Sequence, residues 1–480
     1  MVANVVHLQE QNPQLAELTR VFEAQRAAYK LRPMPSADER IAHLAQLKRV
    51  LIKYQDDLAQ AASDDFGSRS HDETKIAEIL TTLEGIKYYS KNVRSWMRAE
   101  KRHVSLLQAP GKARVFYQPL GVIGIIVPWN YPIFLATGPL MCALAAGNRV
   151  MIKMSGFTPR VGETFKKMIA EAFPEDHVSV FTGRGEISEA FPKLPFDQIT
   201  FTGSTNVGRT IMAEAAKNLT PVILELGGKS PAIVHDSYPI SDAVPRVALG
   251  KCWNAGQTCV APDYLMLPKG KSEQFIREFT AQVSSMYPTM LNNPDYTSVI
   301  NDKQYSRVQG YLSDARDQGA RIIEINPANE DFSNSRKMPL TLVTGVTPNM
   351  QIMQNEIFGP VLPIIEYNSL DEAIKFVNDR PRPLALYYFD YNSGRADYIS
   401  AHTHAGGMCV NETLMHVGVD DLPFGGVGPS GMGKYHGHEG FLAMSNAKGI
   451  LEKPKFYSSR FVLPPFNKGI HTIIKKYLLK

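Results

Sequence analysis

The sequence predicts an α/β chain built on parallel sheets, and three observations carry that prediction. From Val115 to Leu224 short β-branched runs alternate with helical stretches. The same alternation resumes from about Ser230 and continues to Val427. The length, 480 residues, is too great for one small core and calls for two or three domains. Repeated strand–helix alternation implies parallel strands joined by crossover helices.

The first hundred residues read as helical, because "LAELTRVFEAQRAAYK" and "DERIAHLAQLKRVLIKYQDDLAQAAS" repeat apolar residues every three or four positions. Val115 to Asn148 is an uncharged run long enough for a membrane span. It is interrupted by Gly121, Gly124, Pro128, Asn130, Pro132, Gly138 and Pro139, however. It therefore reads as a buried strand over 121–127, a turn at "PWNYP", and a helix over 139–147 opening on proline and closing on glycine. The runs "RVMIKM", "VSVFTG", "QITFTGS" and "PVILELGG" supply further strands, separated by helices such as "TPRVGETFKKMIAEAF" and "NVGRTIMAEAAK". Beyond residue 230, "PAIVHD" reads as a strand, and "KSEQFIREFTAQVSSM" and "SLDEAIKFVND" as helices. No internal repeat or low-complexity segment is visible.

Composition narrows the class. A hydrophobic content of 44% with 21% charged residues is that of a soluble globular enzyme. The net charge of +5 is local: Leu451–Lys480 holds seven Lys/Arg against Glu452, which leaves 45 basic and 46 acidic residues in the rest. A neutral body argues against nucleic-acid binding. The tail "FNKGIHTIIKKYLLK" admits at most peripheral contact with an anionic membrane, or packing on a partner subunit with its lysines solvated. Cys142, Cys252, Cys259 and Cys409 form neither a zinc pattern nor a disulfide framework, which points to a reducing, cytoplasmic setting. The opening "MVANVVHLQEQNPQLAELTR" lacks a basic region followed by an apolar core, so no signal peptide is expected.

Cys259 stands apart from the other cysteines. In "NAGQTCVAPDY" its neighbours are Gly256, Gln257, Thr258 and Pro262, which read as a loop rather than a packed interior. A thiol in such a loop is suited to reacting.

Seven motifs then converge. "VPWNYP" (127–132), "FTGSTNVG" (201–208), "LELGGKSP" (224–231), "NAGQTCVAP" (254–262), "QNEIFGPVLP" (354–363), "RPRPLALYYF" (380–389) and "LPFGGVGPSGMGKYHGHEGF" (422–441) stand in order along the chain. Together they resemble the aldehyde dehydrogenases over about residues 30–450. "CVAPDY", "PRPLALY" and "GMGKYHGHEGF" are similar to the class-three branch and lean toward its coniferyl aldehyde members. The resemblance implies a Rossmann-like cofactor domain (1–100 and 120–228) and an α/β catalytic domain (229–427). It also implies a small bridging sheet (101–119 and 443–452), the basic tail 453–480 beyond it, and a homodimer.

The chemistry explains the residue types. An sp² aldehyde carbon is a poor hydride donor, so a nucleophile must first convert it to a tetrahedral adduct. Cys259 is the candidate; at an unperturbed pKa of about 8.5 a thiol is only a few per cent thiolate at neutral pH, yet very nucleophilic. By resemblance the Asn130 side-chain amide and the Cys259 backbone N–H stabilise the resulting oxyanion, each such donor being worth about 2.7–4 kcal/mol. Glu225, between Leu224 and Leu226 at the end of an apolar strand, is the expected base that activates water against the thioester, a role worth about 10²–10⁴-fold. Desolvation there should raise its pKa. CoA-acylating relatives generally lack this acid, so its presence favours a free carboxylic acid as product.

For the cofactor, NAD or NADP, "FTGSTNVG" follows a strand and opens a helix, where backbone N–H groups can receive phosphate. It is not the G-x-G-x-x-G fingerprint. The resemblance assigns cofactor contacts to Trp129, Gly203, Ser204 and Gly208, places Lys153 on the adenosine ribose, and sets Glu356 and Phe358 at the nicotinamide end. One position departs from the family: many members read K-P-S-E where this chain reads "KMSG", Lys153 to Gly156. Gly156 removes an acid that would bind the ribose hydroxyls and repel a 2′-phosphate, so NADP should be tolerated. Lys153, and more speculatively Arg160, would face that phosphate. The pairs His402/His404 and His436/His438 have no third ligand spaced to join them, so no metal is expected. Ser430 in "GPSG" lacks the spacing of a hydrolase elbow and reads as a turn residue. Substrate choice stays open between an aromatic aldehyde such as coniferyl aldehyde and a medium-chain aliphatic one.

Overall fold

A computed structural model describes residues 12–479. Residues 1–11 and 480 lie outside the described residues. They include the start of the stretch read as lacking a signal peptide, the first part of the expected cofactor segment, and the end of the basic tail.

The amino-terminal helices begin where side chains satisfy the first free N–H groups. Asn12 accepts from Gln14 N ahead of the helix Pro13–Leu31, and Ser36 and Glu39 form a capping box ahead of Ala37–Phe66. The second helix ends at Gly67 in the left-handed region, φ 80°. Its apolar stripe, including Leu44, Leu47, Leu51 and Leu58, is buried and forms part of the core shared with Phe165 and Met168 of the helix Pro159–Ala172.

Those helices cover a six-stranded sheet. Its order is Gly431–Met432, Val222–Glu225, Gln198–Thr202, Val122–Ile126, Arg149–Lys153 and Val178–Phe181. All pairs are parallel except Gly431–Met432 against Val222–Glu225. From Val122–Ile126 the chain winds outward through the strands at 149 and 178, then returns to add Gln198–Thr202 on the other side. The order therefore reverses between the strands ending at Ile126 and Thr202. In open α/β sheets a crevice opens outside the carboxyl ends at such a reversal, and ligands bind there.

The last strand, Val222–Glu225, runs through Leu226–Ser230 into Pro231–Val234 of a second sheet. That sheet has seven strands, ordered Arg321–Ile325, Leu340–Thr344, Val361–Tyr367, Tyr264–Pro268, Pro231–Val234, Ala385–Phe389 and Gly407–Val410. Only its first pair is antiparallel. A third sheet, antiparallel and largely exposed, joins Glu100–Arg102, Lys112–Pro119 and Ser445–Glu452. Its strand Ser445–Glu452 is an outer strand with no further strand beside it among the described residues. The basic tail forms a short turn of helix at Ser458–Val462 and the helix Gly469–Leu478. The architecture is the α/β fold with a small bridging sheet that the motifs imply.

The uncharged run 115–148 holds two strands and a helix, and no helix among the described residues is long and apolar enough to cross a membrane. The helix starts at Phe134 rather than at Pro139, which lies inside it. The cause is distant in sequence. Glu78 Oε2 accepts from Ile133 N (2.7 Å) and Phe134 N (3.0 Å), so a carboxylate from another helix caps the first turn. The helix Asp302–Asp317, which the periodicity reading passed over, is capped by Asn301 and carries Arg307 to the main chain of Glu356 and Ile357.

Candidate active site

Cys259 lies just before the strand Tyr264–Pro268, at the amino end of the second sheet, facing the carboxyl ends of the first. The chain reaches it through three consecutive left-handed residues, Asn254 (φ 49°), Ala255 (φ 51°) and Gly256 (φ 69°). A β-carbon at 256 would overlap the carbonyl oxygen of Gly359, so only glycine fits. Gln257 fixes the loop: its amide donates to Asn254 O (2.9 Å) and Ser298 O (3.0 Å) and accepts from Ile300 N (3.0 Å).

The thiol stays partly accessible, but its surroundings are of low polarity. Burial, reinforced by the carboxyls of Glu356 and Glu225, pushes it up to about 12. The backbone N–H groups of Cys259 and Val260 oppose the shift.

Glu225 ends its strand opposite Gly431 and is 2% exposed. Neither carboxylate oxygen has a hydrogen-bond partner. Burial raises its pKa well above the carboxylate range, and the nearby Lys434 opposes this. Lys434 is held by the carbonyl oxygens of Gly406 (2.7 Å) and Gly425 (2.8 Å). A buried carboxyl with no partner is costly to maintain, and such groups concentrate at sites of chemistry.

Asn130 follows the strand Val122–Ile126 at the reversal point. Its main-chain oxygen accepts from Arg69 Nη1 (2.8 Å) and Asn254 Nδ2 (2.9 Å). Its side-chain amide, which makes no hydrogen bond among the described residues, lines two cavities. One is a cleft of about 1110 Å³ along the first sheet's carboxyl edge. The other is a channel of about 480 Å³, walled by Phe134, Leu135, Trp253, Leu384, Leu414 and Phe424. Asn130, Thr202, Glu225 and Cys259 line both. The exposed apolar side chains of Ile76, Leu80 and Met415 also line the channel.

The cleft suits a dinucleotide. Trp129, Gly203, Ser204, Glu356 and Phe358 all line it. No side chain caps the helix Thr205–Ala216, so its first N–H groups are free for a phosphate. Glu356 Oε1 is buried without a hydrogen-bond partner, and burial holds its carboxyl at about 8. Phe358 sits at φ 49°, an outlier for a bulky residue. It is edge-on to Trp129, with ring centroids 5.2 Å apart. Arg307, which the sequence reading missed, holds this turn through Glu356 O (3.1 Å) and Ile357 O (2.8 Å).

Three predicted cofactor residues do not line the cleft. Gly208 allows close packing, since a β-carbon there would stand 2.7 Å from Leu226 Cδ2. Buried Lys153 donates to Met154 O (2.8 Å) and Gly183 O (2.7 Å), and desolvation lowers it to about 8. At Gly156 the space a side chain would fill is taken by Arg184, which donates to Gly156 O and stacks over Phe157 at 4.6 Å. Arg160 turns away toward Asp64 (3.7 Å) and does not join this group. Ser430 is a turn residue whose hydroxyl accepts from Val427 N (2.9 Å) and donates to Val427 O (3.1 Å). His402 stacks on Tyr398, and His436 on Phe424.

A partly exposed cysteine, a buried carboxyl and the Asn130 amide meet where the long cleft joins an apolar channel. The chain belongs to the aldehyde dehydrogenase family, whose model matches residues 5–450, and it is an enzyme of that class. Over 480 residues, all of both chains, it is 50% identical to a probable coniferyl aldehyde dehydrogenase of Pseudomonas aeruginosa. It is 43% identical to the coniferyl aldehyde dehydrogenase of a Pseudomonas species over 92% of each chain. Among solved structures, substrate-bound AldH of Staphylococcus aureus matches with a TM-score of 0.89 at 36% identity, covering 96% of this chain and 99% of that one. An aldehyde dehydrogenase of Mycobacterium tuberculosis complexed with NAD+ matches with a TM-score of 0.83 at 29% identity, covering 92% and 91%.

Proposed function

We propose that the protein oxidises an aromatic aldehyde of the coniferyl type to its carboxylic acid, using NAD or NADP. The observation that carries this reading is the sharing of Cys259, Glu225, Asn130 and Thr202 between the cleft and the channel. An aldehyde entering by the channel meets the sulfur on one side, and a cofactor in the cleft meets it on the other. The aromatic and aliphatic walls suit an aromatic ring or an alkyl chain. The coniferyl names of the similar proteins tip the choice toward the first.

In this reading the Cys259 thiol gives up its proton to solvent as Sγ adds to the carbonyl carbon, the developing oxyanion is met by the Asn130 amide and the Cys259 N–H, and loss of hydride from that adduct leaves the thioester. A nicotinamide held at the Glu356, Phe358 and Trp129 end of the cleft would supply the hydride acceptor. Glu225 takes a proton from the water that attacks the thioester, and Cys259 leaves as the thiol. The free acid at 225 favours hydrolysis over acyl transfer to CoA. We assign the six-stranded sheet and its helices to cofactor binding, the seven-stranded sheet to the nucleophile, and the outer strand Ser445–Glu452 to a homodimer contact. Gly156 and the cation of Arg184 beside it support tolerance of a 2′-phosphate, hence use of NADP as well as NAD.

A panel from short aliphatic to cinnamyl aldehydes, assayed with each nucleotide by absorbance of the reduced cofactor, tests this. Cinnamyl types should give the highest kcat/KM and the Cys259→Ala variant no turnover; preference for short aliphatic aldehydes would overturn the substrate assignment.

A further inference from the structure

Behind the reacting groups lies a buried ionic cluster that takes no direct part in the chemistry. Arg69 and Glu78 have fully buried side chains and pair at 3.1 Å; Glu73, 7% exposed, lies 3.9 Å from the same guanidinium. All three come from one segment running from Gly67, through the helix His71–Thr74, into the wide π-helical turn Lys75–Leu80. Such π turns are frequent at functional sites.

Each member holds main chain rather than side chain. Arg69 Nη1 donates to Asn130 O, the oxygen that also accepts from Asn254 Nδ2. Glu73 Oε1 accepts from Asn254 N at 2.8 Å. Glu78 Oε2 accepts from the N–H groups of Ile133 and Phe134. The guanidinium lies over the Tyr131 ring at 4.7 Å, and the Tyr131 hydroxyl is 3.1 Å from Thr258 Oγ1. The cluster thus grips the loop 130–134 on one side and the loop 254–258 on the other.

We propose that Arg69, Glu73 and Glu78 are positioning residues that set the Asn130 amide against the Cys259 sulfur by clamping their two loops to each other. The proposal rests on the assignment of Asn130 and Cys259 to the chemistry. Energetics favours it over a purely structural role. Buried ion pairs repay their desolvation poorly, and apolar residues of similar volume often stabilise a fold as well or better. Apolar residues cannot bind carbonyl and N–H groups from two loops at once. An oxyanion donor must be held to within about 0.5 Å to be effective.

A double-mutant cycle tests the clamp, using Arg69→Met, Asn130→Ala and the double variant, with Arg69→Lys as the conservative replacement. Arg69→Met should lower kcat about tenfold or more while nucleotide affinity, measured by fluorescence titration, changes less than about twofold. Arg69→Lys should recover part of kcat, since it keeps the charge but loses the fork. In the Asn130→Ala background Arg69→Met should cost less than about twofold further, because the amide it positions is gone. The proposal is overturned if Arg69→Met keeps wild-type kcat, or if its loss adds in full to that of Asn130→Ala. Should Arg69→Met not fold, Arg69→Lys enters the same cycle and is read by the same criterion. A wild-type rate in Asn130→Ala alone would instead refute the assignment on which the clamp depends.

Discussion

The carboxylate of Glu356 lies across the α-carbon of Gly227, in the space a β-carbon there would occupy. Gly227 does not have a left-handed backbone, so the glycine is required by this close approach alone. Gly227→Ala should displace Glu356 and weaken nucleotide binding by about tenfold with little change in secondary structure. Fluorescence titration of the nucleotide alongside far-UV circular dichroism checks it; unchanged affinity would mean the cleft tolerates Glu356 elsewhere.

The protonation of Cys259 is measurable without substrate. With its thiol pushed up to about 12, the thiolate fraction in the nucleotide-free enzyme should climb about tenfold per pH unit. Its alkylation by iodoacetamide, with the Cys259→Ser variant as background for the other three cysteines, should therefore rise steadily from pH 7 to 10. A plateau near pH 8.5 would show an ordinary thiol.

Glu225 ties stability to activity. Its pKa lies well above 4.5 in the folded state, so between those values the native protein binds more protons than the unfolded chain. Its contribution to stability therefore falls as pH rises from about 4.5 through the folded pKa. Glu225→Gln removes that loss and should raise Tm at pH 8 while leaving it nearly unchanged at pH 4.5. The same variant should keep a burst of reduced cofactor and lose steady-state turnover, because deacylation alone needs the base. A lost burst, or a lower Tm at pH 8, would contradict this account.

Nucleotide choice turns on residues 156 and 184. Arg184→Ala should weaken NADP binding about tenfold and NAD binding little, because a charged donor to one phosphate is removed. Gly156→Glu should lower the NADP/NAD ratio of kcat/KM, both by adding an acid and by displacing or neutralising Arg184. If neither variant moves the ratio, the 2′-phosphate is not recognised at this position.

What was legible in the chain depended on range. Gly203 and Ser204 follow a strand and open a helix within a few residues, so their place at the cleft follows from local order. The channel wall at Phe134 and the start of its helix were not legible, because Glu78, 55 residues earlier, caps that turn. Arg69, Arg184 and Arg307 were missed for the same reason. Each acts on a main-chain oxygen 28 to 61 residues away, and no periodicity or spacing marks such a pair. Asn301, a good helix cap three positions before Gln304, and the spacing of Val308, Leu312 and Ala315 were local signals that could have revealed the helix bearing Arg307.

By itself the sequence determined the α/β architecture and membership of the family, because alternation and motif order are properties of neighbours along the chain. Only the tertiary structure decided that burial pushes the Cys259 thiol up, that Arg184 rather than Arg160 stands beside Gly156, and that one buried cluster joins the loops 130–134 and 254–258. Those outcomes depend on local dielectric and on which distant groups come within hydrogen-bond reach. Both are set when the sheets pack together.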